Sequence, residues 1–230
     1  MDRRHNLVIT IDGPAGSGKS TLAGLLAKRL DGIRLDTGAI YRSLAYEAMN
    51  QDMSLDDGPM LADLARRLLI TFRDKDDGPQ DVFINGQRVT EAIRTPEVSQ
   101  AASRISSLTE VREALLDLQR ASARRGVVVA EGRDMGTVVF PQASVKFFLQ
   151  ADELVRAERR WRELQALGGN RSLEDVLEEQ RRRDERDRSR DVAPLKAAPD
   201  ALIIDSTNKT PEEVLDEMVE AVRDRTGLEV

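Results

Sequence analysis

The segment Leu7-Val8-Ile9-Thr10-Ile11-Asp12, followed by Gly13-Pro14-Ala15-Gly16-Ser17-Gly18-Lys19-Ser20, constrains the fold more than any other part of the chain. Its first residues are aliphatic or β-branched without alternation, the pattern of a strand buried on both faces. Leu22, Leu25, Leu26 and Leu30 then recur at helical spacing. Between strand and helix, Gly13 to Ser20 matches G-x-x-x-x-G-K-[ST], and that context is what gives the motif its meaning. Backbone N–H groups of such a loop curl around nucleotide phosphates, at a helix N-terminus already biased towards anions. Lys19 would reach the β- and γ-phosphates and the Ser20 hydroxyl would sit on Mg²⁺. Thr21 follows on the same first helical turn.

The rest of the chain repeats the alternation. Ile33–Leu35, Val127–Ala130, Val145–Leu149 and Ala201–Ile204 read as further buried strands. Helical patterns cover Thr37–Asn50, Leu55–Leu69, Leu108–Arg125, Asp152–Leu167, Ser172–Arg190 and Pro211–Arg225. The expectation is an α/β fold of the P-loop NTPase type, a mostly parallel sheet flanked by helices on both faces. One stretch breaks the rule. Ile70–Arg73 and Val82–Ile84 lead into Asn85-Gly86 and then Gln87-Arg88-Val89, a hairpin signal. With the turn-rich loop Asp74–Gln80, it predicts a small antiparallel subdomain inserted at 62–101.

Composition removes several chemistries. The chain has 230 residues, no cysteine and one histidine, His5, close to the N-terminus. Thiol nucleophiles, zinc–thiolate sites and iron–sulfur clusters are excluded, and catalysis has to run without histidine. No apolar run approaches a membrane span, and the stretch after Met1-Asp2-Arg3-Arg4 is too short for a signal sequence, so a cytoplasmic protein with no membrane partner is expected. A net charge of −6 argues against bulk nucleic-acid binding. Of the 35 basic residues only six are lysine, and arginine is the better fork for phosphate. No long apolar surface stripe demands a second subunit, so a monomer is expected.

Ligands of parallel sheets gather beyond the C-terminal strand ends. There the chain places Asp36-Thr37-Gly38, Glu131-Gly132-Arg133-Asp134 and Asp205-Ser206. Asn208-Lys209-Thr210-Pro211 lacks the aspartate of the guanine-reading N-K-x-D motif, and no strand ends in a run of aspartates. Arg183, Asp187 and Arg190 share one helix face, and no apolar residue lies between Arg181 and Arg190. Pairs such as Glu179–Arg183 and Asp184–Arg188 would lace a solvated helix, whereas the surplus of arginine fits an arm that reaches phosphates. The break Leu167-Gly168-Gly169-Asn170 would let two such helices turn and move. On these residues a small-molecule kinase and a non-catalytic nucleotide- or RNA-binding module both stay open. The intact Lys19-Ser20 pair and the acidic balance count against the second.

In these segments the chain resembles the bacterial cytidylate kinase family of nucleoside monophosphate kinases. The matching residues are Gly13–Ser20, Asp36–Arg42, Ile93-Arg94-Thr95, Val111–Leu115, Glu131–Pro141, Arg183–Arg190 and Ala193-Pro194-Leu195, in order and over nearly the whole chain. Met135 stands where the family often has isoleucine. The resemblance implies transfer of the γ-phosphoryl group of ATP to CMP or dCMP, with Mg²⁺ accompanying ATP. It implies ATP binding at Gly13, Pro14, Ala15, Gly16, Ser17, Gly18, Lys19, Ser20 and Thr21, with Ser20 on the metal. It assigns the monophosphate to Thr37, Tyr41, Arg42, Arg133 and Arg190, the cytosine to Ser103, Arg112 and Asp134, and the ribose to Arg183 and Asp187. Arg156, Arg159 and Arg160 open a helical lid at 152–190, and Lys19, Arg133, Arg159 and Arg190 form the catalytic set. The core then comprises 1–61, 102–151 and 191–230, and the insert at 62–101 becomes the monophosphate-binding subdomain. Asp134 itself argues against uracil, which presents an acceptor where cytosine presents an amino group.

Overall fold

The structure, a computed structural model, describes residues 7–73, 75, 80–123, 126–166 and 168–228. His5, Leu167 and most of the loop expected at 74–80, including Gly78-Pro79, lie outside the described residues. The chain forms two compact units, Met1–Leu35 with Ala123–Val230, and Asp36–Ser122.

The first unit is built on the strands β1 (Leu7–Asp12), β6 (Val127–Gly132), β7 (Val145–Gln150) and β8 (Leu202–Asp205), with β2 (Ile33–Asp36) at its edge. Their order is β2-β6-β1-β7-β8. β1 pairs in parallel with β6, from Leu7↔Val127 to Asp12↔Gly132, and with β7, from Ile9↔Val145 to Asp12↔Phe148. β1 therefore lies at the point where the strand order reverses, and the crevice beyond its C-terminal end is where such sheets take their ligands.

The core explains the order. Ile9 and Ile11 are fully buried between Val127 and Val129 on one side and Val145, Phe147 and Leu149 on the other. Helices α1 (Lys19–Arg29) and α8 (Pro211–Thr226) bring Leu22, Ala23, Leu26, Val214, Met218 and Val222 onto the same cluster. With aromatics at 3% of the chain, aliphatic side chains build this core and Phe147 is its one large ring. The Asn208-Lys209-Thr210-Pro211 segment is a helix cap. Thr210 and Glu213 form a reciprocal capping box with Pro211 at the first turn. Helices α6 (Glu153–Ala166) and α7 (Leu173–Ser189) complete the unit and pack on each other.

The second unit holds α2 (Thr37–Asn50), α3 (Gly58–Arg67), α4 (Pro96–Ile105) and α5 (Thr109–Ala121), with α2 packed on α4 and α3 on α5. Its sheet is β3-β4-β5 (Ile70–Arg73, Asp81–Ile84, Gln87–Arg88), antiparallel throughout. Asn85 and Gly86 both take positive φ, 50° and 85°, as a type I′ hairpin turn requires. α3 starts at Gly58 rather than Leu55 because Asp57 caps the Met60 N–H and Pro59 fits only the first turn. The helix at 96–105 has no counterpart in the sequence reading. Its buried residues are Val98, Ala101, Ala102, Ser103 and Ile105, correctly spaced, but half of the apolar ones are alanine. Among the described residues no helix is long and apolar enough to cross a membrane.

Candidate active site

The loop after β1 is shaped by backbone conformations that side chains disfavour. A Cβ on Gly13 would lie 2.1 Å from the Leu149 carbonyl oxygen, so the strand can turn away only at glycine. Gly18 stands at the start of α1 with φ 91° and offers no side-chain cap, leaving the first-turn N–H groups for an anion. Lys19 is buried and folds back on its own loop, donating to the Pro14 carbonyl at 2.5 Å and to Ser17 Oγ at 3.3 Å. Burial, and then the Arg133 and Arg183 guanidinium groups, hold its ammonium well below the usual lysine range, against the pull of Glu131 and Asp12.

Ser20 Oγ donates to Glu131 Oε2 at 2.7 Å. The other oxygen of that carboxylate, Oε1, takes Arg34 Nε at 2.9 Å and Nη2 at 2.6 Å. Glu131 is the penultimate residue of β6, beside β1, a position from which one acid faces the loop hydroxyl. A single glutamate followed by Gly132 is not the run of aspartates by which such a strand end is recognised in sequence, so Glu131 carries no role there. Arg34, Asp12 and Asp184 carry no local signal either, because the partner of each is distant in sequence.

Arg133 Nε donates to Asp187 Oδ2 at 2.9 Å, and Arg190 Nη2 lies 3.8 Å from Asp134 Oδ1. Burial works against the Asp187 carboxylate, but Arg133, Arg183 and Arg190 outweigh it and hold the group below the ordinary carboxylate range. Arg190 Nε also donates to the Ala193 carbonyl at 2.5 Å. Arg159 binds Ser206, through Nη1 to Oγ at 3.2 Å and Nη2 to the carbonyl at 2.7 Å, and Ser206 Oγ in turn reaches the Ser17 carbonyl at 3.2 Å. Arg156 and Asp184 form a buried pair on the Ala15 peptide. Arg160 is separate and pairs with Glu163 on the surface.

The polar half of α7 is solvated on one face, where Arg181, Arg182, Glu185, Arg186 and Arg188 are exposed and Arg182 pairs with Glu178, and turns its acids inward on the other. Asp184 and Asp187 are buried against arginines from other elements, and Asp184 pairs with Arg156 rather than Arg188. Glu179 pairs with Arg171, not with Arg183.

The second unit contributes a compact group of its own. Asp36 caps α2, its Oδ1 accepting the Ala39 N–H at 2.9 Å and its Oδ2 accepting Arg42 Nη2 at 3.0 Å. Thr37 and Tyr41 are buried on that helix. The Arg112 guanidinium lies over the Tyr41 ring, 5.8 Å from its centroid, and donates to the Ser106 carbonyl at 3.1 Å. Ser103 Oγ is buried without a hydrogen-bond partner among the described residues.

Comparison with known proteins gives this arrangement a family. A profile described as Cytidylate kinase matches residues 9–224. A cytidylate kinase of Azotobacter vinelandii is 49% identical over 224 residues, covering 96% of this chain and 98% of that protein. One from Aeromonas salmonicida is 51% identical over 208 residues, covering 90% of each. Among solved structures, a gluconokinase from Sinorhizobium meliloti 1021 superposes with a TM-score of 0.52 at 14% identity over 98% of this chain and 96% of its own, a likeness of fold. With the phosphate loop at the switch point of a parallel sheet, these matches show that the chain belongs to the cytidylate kinase family and is a P-loop kinase.

Proposed function

We propose that the chain transfers the γ-phosphoryl group of ATP to CMP or dCMP, with the residue roles that follow. The observation that carries this reading is the concentration of cations beside the phosphate loop. Burial first, and then Arg133 and Arg183, hold Lys19 below its normal range, and those two arginines with Arg190 act together on Asp187. Such a cluster is electrostatically unfavourable by itself and is relieved by a polyanion placed among its members.

The loop from Gly13 to Ser20, with Thr21, binds ATP, and Lys19 neutralises charge on the transferring group. Arg133 and Arg190 hold the CMP phosphate with Thr37, Tyr41 and Arg42, and Arg159 assists from α6. Arg183 and Asp187 contact the ribose. Ser103, Arg112 and Asp134 read the cytosine edge, and the open hydroxyl of Ser103 and the aromatic-backed guanidinium of Arg112 suit such contacts. An oxygen of the CMP phosphate, already ionised at neutral pH, attacks the γ-phosphorus. The bond to the β–γ bridging oxygen breaks and ADP leaves. No general base is required, in keeping with a chain that lacks cysteine and has one histidine near its N-terminus. Positioning and charge neutralisation do the work.

The donor set suits Mg²⁺: a loop hydroxyl oriented by a carboxylate, with oxygen donors and no soft ligand. Ser20 would hold the ion and Glu131 would orient Ser20. When bound, Mg²⁺ supplies charge neutralisation for the phosphates. ADP release measured with CMP, dCMP, UMP, dTMP, AMP and GMP as acceptors tests the proposal. CMP and dCMP are expected to lead, and a preference for any other acceptor overturns it.

A further inference from the structure

Among the buried acids at the site, Asp12 has no task in the roles above. Asp12 is the last residue of β1, immediately before Gly13, and is 3% exposed. Its Oδ1 accepts the Met135 N–H and its Oδ2 accepts the Gly136 N–H, both at 2.8 Å. Asp12 lies opposite Gly132 in the β1–β6 register, so its carboxylate reaches past the strand end and catches the chain just after Arg133 and Asp134.

The segment it catches needs an outside partner. Met135–Val139 is a wide π-helical turn entered through Asp134, and it has no side-chain cap of its own. Its first amides would be orphans, and Asp12 satisfies two of them from a distant strand. The fit is close: a Cβ on Gly136 would lie 3.0 Å from Thr10 Oγ1 and 3.4 Å from Asp12 Oδ2. Two adjacent N–H groups need two acceptor oxygens, which a carboxylate has and an asparagine lacks. The molecule keeps the carboxylate although burial penalises its charge.

We propose that Asp12 is the positioning residue of the acceptor side of the reaction. By holding the Met135 and Gly136 amides it fixes where Arg133 and Asp134 stand relative to the loop that begins at Gly13. The proposal rests on the reading that Arg133 and Asp134 bind CMP. The Met135–Val139 turn holds none of the residues assigned to ATP, so loss of its two contacts with Asp12 is expected to fall on the CMP side first.

Steady-state kinetics on Asp12→Asn, with CMP and ATP varied separately, test it, with Arg133→Ala measured alongside. In Asp12→Asn the KM for CMP is expected to rise about tenfold or more, while the KM for ATP stays within about twofold. If Arg133→Ala leaves the KM for CMP unchanged, the CMP-site reading falls and the proposal falls with it. If Arg133→Ala raises it and Asp12→Asn does not, the proposal alone is overturned. Equal increases in both KM values also overturn it, since that is what a structural cap would give. Should Asp12→Asn fail to fold, amide exchange in the wild type decides. Strong protection of the Met135 and Gly136 N–H groups is expected, and exchange at the rate of an exposed loop overturns the proposal.

Discussion

Arg156 and Asp184 hold the Ala15 peptide between them. Arg156 Nη1 donates to Asp184 Oδ2 at 2.7 Å and to the Ala15 carbonyl at 2.8 Å, while Asp184 Oδ1 accepts the Ala15 N–H at 3.4 Å. Both side chains are 4% exposed. The two helices that carry Arg159, Arg183 and Asp187 and lead into Arg190 are therefore anchored to the phosphate loop through a desolvated charge pair. Removing one member leaves the other buried and unpaired, which is costlier than removing both.

Arg156→Met or Asp184→Asn alone is expected to lower stability by about 3–5 kcal/mol, and Arg156→Met/Asp184→Leu to restore a large part of the loss. Trp161 on α6 is the only tryptophan and reports urea unfolding of this unit. Single variants within about 0.5 kcal/mol of wild type, the range of ordinary surface substitutions, would show that the pair is not coupled in this way.

On the proposed role of Lys19, in which its charge acts on the transferring group, Lys19→Ala is expected to cut kcat at least about a hundredfold. Stability should be equal or higher. The variant removes a cation that burial and Arg133 already disfavour. A folded Lys19→Ala protein with near-normal turnover would take Lys19 out of the mechanism.

The strands, the hairpin and the phosphate loop were legible in the sequence because their signals are local. Val127–Val129 is an apolar run, Asn85-Gly86 specifies its own turn, and Gly13–Ser20 carries its chemistry within the motif. What was not legible depends on contacts between distant segments. Glu131 becomes a partner of Ser20 only because β6 lies beside β1. Asp184 reads as a helix-surface acid until α6 delivers Arg156 to it. The helix at 96–105 was hidden for a different reason, since alanines make up half of its buried apolar residues and weaken the periodic signal.

Glu131→Ala removes the acceptor that orients the Ser20 hydroxyl. The Mg²⁺ concentration for half-maximal activity is expected to rise about tenfold or more, the usual effect of losing a partner that orients a metal ligand. Mn²⁺ binding to the enzyme–ADP complex, followed by electron paramagnetic resonance, should weaken in parallel. Unchanged Mn²⁺ affinity would separate Glu131 from the metal.

Asp12 makes stability depend on pH in an unusual direction. Burial pushes its carboxyl up from 3.8 to about 6, with the Asp134 charge adding to this and the Gly136 and Met135 amides and Lys19 opposing it. Between those values the folded state binds more protons than the unfolded state, so this group's contribution falls as pH rises through the window. The full span corresponds to about 3 kcal/mol. Asp12→Asn should therefore lose stability relative to wild type less at pH 7 than at pH 4, with urea midpoints from Trp161 fluorescence as the measure. A difference that does not vary with pH would show that Asp12 titrates normally.

On the proposed roles base choice rests on Asp134, which is buried just beyond β6 with Arg190 Nη2 3.8 Å away. As an acceptor it matches the 4-amino group of cytosine. Uracil places an oxygen there, so two acceptors would face each other in a desolvated pocket, and a good base contact discriminates by about 1–3 kcal/mol. Asp134→Ala is expected to reduce kcat/KM for CMP far more than for UMP, narrowing their ratio by about ten- to a hundredfold. The geometry also defines a competing role. Arg133 is already held by Asp187, so the guanidinium that Asp134 would steady is that of Arg190. In that case the phosphate contact common to both nucleotides suffers, and kcat/KM falls equally for CMP and UMP. Measuring both substrates on wild type and variant separates the two roles: a narrowed ratio assigns Asp134 to the base, and an unchanged ratio with a uniform loss assigns it to Arg190.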